Sequence, residues 1–98
     1  MVFVEVAKEN DLEEEQGKAV EANGKTIALF KKNGQFYAID NTCLHAGGPL
    51  GEGTLEGENV TCPLHGWQYS IKTGVSPFGV KVETFKVKVE NGKVMVEA

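Results

Sequence analysis

Two cysteines and two histidines are all that this 98-residue chain has of either, and both pairs fall in one stretch of the chain, so no thiol or imidazole elsewhere can form a nucleophile–base pair or a second metal site. No apolar run approaches the roughly 18 residues of a membrane-spanning helix, which excludes a tether of that kind. The opening residues 1–6, Met-Val-Phe-Val-Glu-Val, put no basic cluster ahead of an apolar stretch. No secretory signal is therefore expected, and the cytoplasm is the expected compartment. Basic residues number 10 against 14 acidic, for a net charge of −4; that balance argues against nucleic acid as a partner, because phosphate binding relies on a cationic excess. Internal repeats, low-complexity tracts, linkers and helical periodicity are all missing. What remains is one small domain, residues 1–98, of a size that buries roughly 60–65% of its unfolded surface.

The pattern that is present is β. Val2, Val4 and Val6 alternate with Phe3 and Glu5, as in a first strand. Residues 11–16 break it with the densest acidic cluster, Asp11, Glu13, Glu14 and Glu15, which reads as a solvated turn rather than a docking patch. Residues 18–22 and 26–32 are β-type runs joined by Asn23-Gly24, the dipeptide suited to a type I′ hairpin turn. Asn33-Gly34 joins the second run to Phe36-Tyr37-Ala38-Ile39, and Asn91-Gly92 joins residues 85–90 to 93–97. In that last hairpin Phe85, Val87 and Val89 alternate with Lys86, Lys88 and Glu90, and Val94 and Val96 alternate with Lys93, Met95 and Glu97. One buried face and one wet face are expected. Three such hairpins predict an all-β domain.

The chemistry is concentrated between Cys43 and Tyr69. Cys43-Leu44-His45 and Cys62-Pro63-Leu64-His65 hold every cysteine and histidine of the chain. A Cys and a His two or three residues apart can face one centre from one tight loop, and Gly47, Gly48, Pro49 and Gly66 suit such loops. A metal site is the leading reading. Zinc sites with two Cys and two His usually keep like ligands together; here each loop offers one of each, which fits a two-iron cluster better, since each loop must then reach both irons. A structural zinc site remains open on the residues alone. A disulfide would require an oxidising compartment.

The segments Cys43-Leu44-His45-Ala46-Gly47-Gly48-Pro49-Leu50 and Cys62-Pro63-Leu64-His65-Gly66-Trp67-Gln68-Tyr69 closely resemble the two cluster-binding boxes of the Rieske family. The run Phe36-Tyr37-Ala38-Ile39-Asp40-Asn41 and the pair Thr73-Gly74 are similar to that family as well, so the likeness covers most of the chain. It implies an antiparallel β-sandwich with a small cluster-binding subdomain formed by two loops, at about residues 41–50 and 61–69. It also implies one [2Fe-2S] cluster held by Cys43, His45, Cys62 and His65. The loop of residues 75–79, containing Pro77, would pack over the cluster on the family pattern, or be an ordinary loop on the residues alone.

Replacing two thiolates by two neutral imidazoles makes such a cluster easier to reduce, with Rieske potentials of about −150 to +300 mV. The resemblance is to the branch without cross-linked loops. Gly48, Leu64 and Trp67 stand where the respiratory branch carries two disulfide cysteines and a hydroxyl donor, whereas Tyr69 matches a Tyr that donates to a ligand sulfur. The low end of the potential range is expected, with a midpoint that falls in alkali as the oxidised cluster's histidines lose protons.

The function implied is a one-electron carrier rather than an enzyme, a Rieske-type ferredoxin passing electrons from a flavoprotein reductase to a terminal oxygenase. Both partners would dock at the tip bearing His45 and His65, and a monomer is expected. The small Rieske-like subunit of an assimilatory nitrite reductase is the alternative, and a Cys2His2 zinc interaction module a third. Asp40 and the Glu cluster read as solvated carboxylates, so no site for substrate chemistry is expected.

Overall fold

The computed structural model describes residues 2–42, 49–63, 66–77 and 79–98. Its strands are β1 (Phe3–Lys8), β2 (Gly17–Ala22), β3 (Lys25–Lys32), β4 (Gln35–Asp40), β5 (Thr54–Glu56), β6 (Asn59–Thr61), β7 (Gln68–Ser70), β8 (Thr84–Phe85), β9 (Val87–Glu90) and β10 (Lys93–Glu97). Short 3₁₀ turns lie at Glu9–Asp11 and Leu50–Glu52. The strands form three antiparallel sheets, ordered β1-β10-β9, β2-β3-β4-β8 and β5-β6-β7. The all-β expectation is met.

The predicted Asn-Gly turns account for the ladder. Asn23, Asn33 and Asn91 have φ of 51°, 55° and 52°, and the glycines after them 79°, 76° and 76°. Both turn positions are left-handed, as a type I′ turn requires and as Asn-Gly tolerates best.

The four-stranded sheet lies between two cores. Ile27 and Leu29 of β3 pack on one side with Val20, Ala38, Val94 and Val96. Ala28 and Phe30 pack on the other with Ile39, Leu50, Val60, Cys62, Tyr69, Ile71 and Val82. These four central residues of β3 are fully buried. A strand covered on both faces reads as an unbroken apolar run, and Ile27-Ala28-Leu29-Phe30 is one.

Three local expectations need correction. Residues 85–90 are not one strand: Phe85 in β8 pairs with Ala38 of the central sheet, whereas Val87–Glu90 pairs with β10 of the outer sheet. The chain changes sheets at Lys86, whose carbonyl accepts from the Glu97 N–H at 2.9 Å. Val89 is not core but 41% exposed, because β9 is the outermost strand of its sheet. In β1, which begins at Phe3 with Val2 exposed, the register shifts between Glu5 and Ala7. That bulge turns Ala7 inward and interrupts the simple alternation.

The acidic cluster is a turn pinned to its neighbours. Glu15 pairs with Lys32, and Glu14 accepts from the backbone N–H groups of Asn33 and Gly34. Those two bonds, Gly34's the larger cause, hold the Glu14 carboxyl below its ordinary 4.5. A depressed folded-state pKa contributes stability that is present above the ordinary value and lost as the pH falls through the depressed one. Glu14→Gln is therefore expected to lower the Tm at neutral pH, with the gap to the parent closing in acid. Thermal scans across that range check it; a constant gap would remove the charge from the explanation.

Candidate metal centre

Two hairpin-like stems carry the Cys/His loops, and each is closed by backbone bonds. On the first, Thr42 and Pro49 form an antiparallel bridge around residues 43–48. Asn41 holds the returning strand: its carbonyl accepts from the Leu50 N–H at 2.7 Å and its Oδ1 from the Gly51 N–H at 2.8 Å. Asp40 Oδ1 accepts from the Thr42 N–H at 2.9 Å, fixing the turn into the loop. Asn41 is a buried polar residue, and these bonds satisfy its carbonyl and Oδ1.

The second stem is the β6–β7 pair, in which Thr61 faces Gln68. The Cys62 N–H donates to the Trp67 carbonyl at 2.7 Å, and the Gly66 N–H donates to the Cys62 carbonyl at 3.1 Å. Gly66 has φ of +75°, a conformation that favours glycine. Cys62 thus stands at the end of the second stem with both its N–H and its carbonyl engaged.

One core seats both stems. Leu50, just past the first loop, shares the second core with Cys62 and Tyr69, and Trp67 packs against it half-buried. Gly53 lies tightly against the second stem: a Cβ there would lie 2.2 Å from the Thr61 carbonyl oxygen, one residue before Cys62.

Of the four expected ligands, Cys62 is described, and it is a free thiol only 2% exposed. Cys43, His45 and His65, with Gly48 and Leu64, lie outside the described residues. Among the described residues no three metal-ligating side chains gather. Tyr69 is fully buried in the same core as Cys62. Pro77 is exposed on a hairpin tied by Ser76 N–H to Val80 carbonyl at 2.8 Å and Gly79 N–H to Ser76 carbonyl at 3.0 Å. Val80 and Val82 of that hairpin pack on the Cys62 core.

The sequence reading included Asn41 in the Rieske-like run and the first loop but gave it no role, and it passed over Gly53. The available signals were a polar residue at the end of an apolar strand and the Gly51-x-Gly53 spacing after the first loop.

Charge is distributed unevenly about this site. Residues 40–70 hold four acidic residues, Asp40, Glu52, Glu56 and Glu58, and no lysine or arginine, leaving ten acidic against ten basic elsewhere. The entire net charge of −4 therefore belongs to the segment that carries the loops. Glu58 pairs with Lys72 at 2.7 Å, which raises the lysine's pKa chiefly through that hydrogen bond.

The family model of the Rieske [2Fe-2S] domain matches residues 2–86. The chain belongs to that family. Among its relatives is the ferredoxin component of the naphthalene 1,2-dioxygenase/salicylate 5-hydroxylase systems of Ralstonia sp, 36% identical over 94 residues, covering 86% of this chain and 90% of that one. The ferredoxin of carbazole 1,9a-dioxygenase from Nocardioides aromaticivorans IC177 superposes with a TM-score of 0.91 at 27% identity, over 98% of this chain and 97% of that one. A chain in the complex of reduced oxygenase and oxidized ferredoxin of carbazole 1,9a-dioxygenase gives 0.88 at 33% identity, over 96% of this chain and 91% of that one. The E. coli protein NirD shares the fold, with a TM-score of 0.86 over 97% of this chain and 94% of that one, at 21% identity.

A Rieske [2Fe-2S] cluster fits the residues present. Cys62 supplies a free, buried thiol at the end of one stem, the other stem closes on the same core, and each loop carries one Cys and one His. That donor set is the mixed one such a cluster takes. No helix among the described residues is long and apolar enough to cross a membrane.

Proposed function

We propose that this Rieske domain is a one-electron carrier, a ferredoxin that accepts electrons from a flavoprotein reductase and delivers them to a terminal ring-hydroxylating oxygenase. The observation that carries the reading is the pair of pinched stems on one core, with Cys62 buried at the base of the second. Cys43 and Cys62 would hold the cluster as thiolates, and His45 and His65 as imidazoles. Bound there, the cluster supplies a one-electron couple. Leu50, Val60 and Tyr69, all fully buried, keep water from the Cys62 side, and Asn41 fixes the exit of the first loop. Residues 1–98 act as a single domain, monomeric and cytoplasmic, with partners docking at the tip bearing His45 and His65.

Iron and acid-labile sulfide analysis of the purified protein, together with its visible and EPR spectra, tests this. Expected are a coloured protein with equal iron and sulfide and, on reduction, a lower average g value than all-cysteine clusters show. A colourless protein holding zinc would overturn it. Purification on its own, without a large catalytic subunit, separates a carrier from an enzyme subunit.

The placement of the net charge adds a kinetic expectation. The acidic residues of this segment would attract a basic partner surface over a Debye length, about 8 Å at physiological salt. Electron delivery to the oxygenase, followed by stopped flow, should slow about tenfold between low and physiological ionic strength. Glu52→Lys with Glu56→Lys should flatten that dependence. A rate indifferent to salt would detach the acidic residues from docking.

A further inference from the structure

Three surface turns share one dipeptide and one backbone shape, and one of them is clamped by a carboxylate. Asn23-Gly24, Asn33-Gly34 and Asn91-Gly92 are all exposed, with φ values within a few degrees of each other. At Asn33-Gly34 the Glu14 carboxylate accepts from both N–H groups, at 3.0 Å from Gly34. No side-chain acceptor among the described residues reaches the amides of the other two turns. The carbonyl of Gly92, not its N–H, is engaged, accepting from the Glu9 N–H at 2.8 Å.

Asparagine followed by glycine is chemically labile, because a residue without a Cβ lets its amide nitrogen reach the preceding side chain. The glycine nitrogen gives up its proton and attacks Cγ of the asparagine. A ring C–N bond forms as the carboxamide C–N bond breaks and ammonia leaves. Water then opens the succinimide to aspartate or isoaspartate. Nothing is oxidised or reduced, and each event adds one negative charge.

Glu14 opposes this reaction in two ways. A nascent amide anion on Gly34 would face a carboxylate across 3.0 Å, and a like charge at that distance disfavours ionisation. The paired bonds also hold the turn against the rotation that ring closure needs.

We propose that Asn23 and Asn91 are sites of spontaneous deamidation and that the Glu14 clamp spares Asn33. The spared hairpin is the one that matters most to the candidate centre. It joins β3 to β4, and β4 leads into Asn41 and the first ligand loop. An isoaspartate adds an extra backbone carbon to a two-residue turn, which would disturb the register of β4. The inference stands independently of the carrier function.

The test is to hold the folded, cluster-bearing protein in mildly alkaline buffer and follow each turn by peptide mass spectrometry that separates Asn, Asp and isoaspartate. Asn33 is expected to convert at least about tenfold more slowly than Asn23 and Asn91, a tenfold deficit being what one pKa unit of repulsion imposes on the amide anion. In Glu14→Gln and Glu14→Ala its rate should rise to match theirs, and in urea the three should be equal in the parent. Conversion of Asn33 as fast as the others in the folded parent would overturn the proposal without reference to any variant. An unchanged Asn33 rate in both Glu14 variants would overturn it as well.

Discussion

Cys62→Ser should leave the protein with less than about a tenth of the parent's iron and sulfide, since even partners that only orient a metal's ligands typically cost 10–100-fold in affinity when removed. The thiol is 2% exposed at the end of β6. Its backbone is fixed on both sides by the Trp67 carbonyl and the Gly66 N–H, so a neighbouring group cannot swing in to replace it. A serine hydroxyl is a harder, less acidic donor and suits iron–sulfur ligation poorly. Thermal stability should fall with the cluster content, because a group bound only by the folded state stabilises it by mass action. His45→Cys is the companion variant. It either loses the centre or retains it with a lower potential, since a thiolate restores negative charge. Metal analysis and a redox titration report both variants. A Cys62→Ser protein with full iron and sulfide would remove Cys62 from the ligand set.

The second large effect is expected from a methyl group. Gly53→Ala would place a Cβ 2.2 Å from the Thr61 carbonyl oxygen and 2.9 Å from a Val60 methyl. The closest obstacle is backbone and cannot rotate away. Gly53 also closes the 3₁₀ turn after the first loop, donating to the Leu50 carbonyl at 3.0 Å. Relief therefore requires the turn of residues 50–53 to move off the end of β6. Overpacking of this kind costs about 1–3 kcal/mol, and more where backbone resists. The movement would also spread the two loops that must meet. Denaturant unfolding should show the loss, and cluster occupancy should fall in parallel. Gly57→Ala, at a turn where a Cβ meets nothing within 4 Å but φ is +62°, provides a strained control away from the stems. Unaltered stability and occupancy in Gly53→Ala would mean that the stems are not set by this contact.

The sequence carried local chemistry well and long-range geometry poorly. Asn23, Asn33 and Asn91 each marked a turn, because the type I′ conformation is a property of two residues and needs no partner. The family was readable from the mixed Cys/His pairs and their resemblance to the Rieske boxes, and the Rieske [2Fe-2S] family model matches residues 2–86. Alternation across residues 85–90 looked like one strand, since the periodicity of a strand says nothing about which sheet it joins; the change of sheet at Lys86 is decided by β4 and β10. Val89 has the hydropathy of a core residue and is exposed because no strand lies outside β9. Gly53 was one glycine among twelve, and only the approach of Thr61 singles it out.

One strand belongs to both halves of the molecule. Ile27 and Leu29 complete the interior beneath the outer sheet, and Ala28 and Phe30 complete the interior behind Cys62. Neither half can come apart without stripping a face of β3. Melting should thus be all-or-none, with the redox group and the scaffold lost in a single cooperative event instead of one outliving the other.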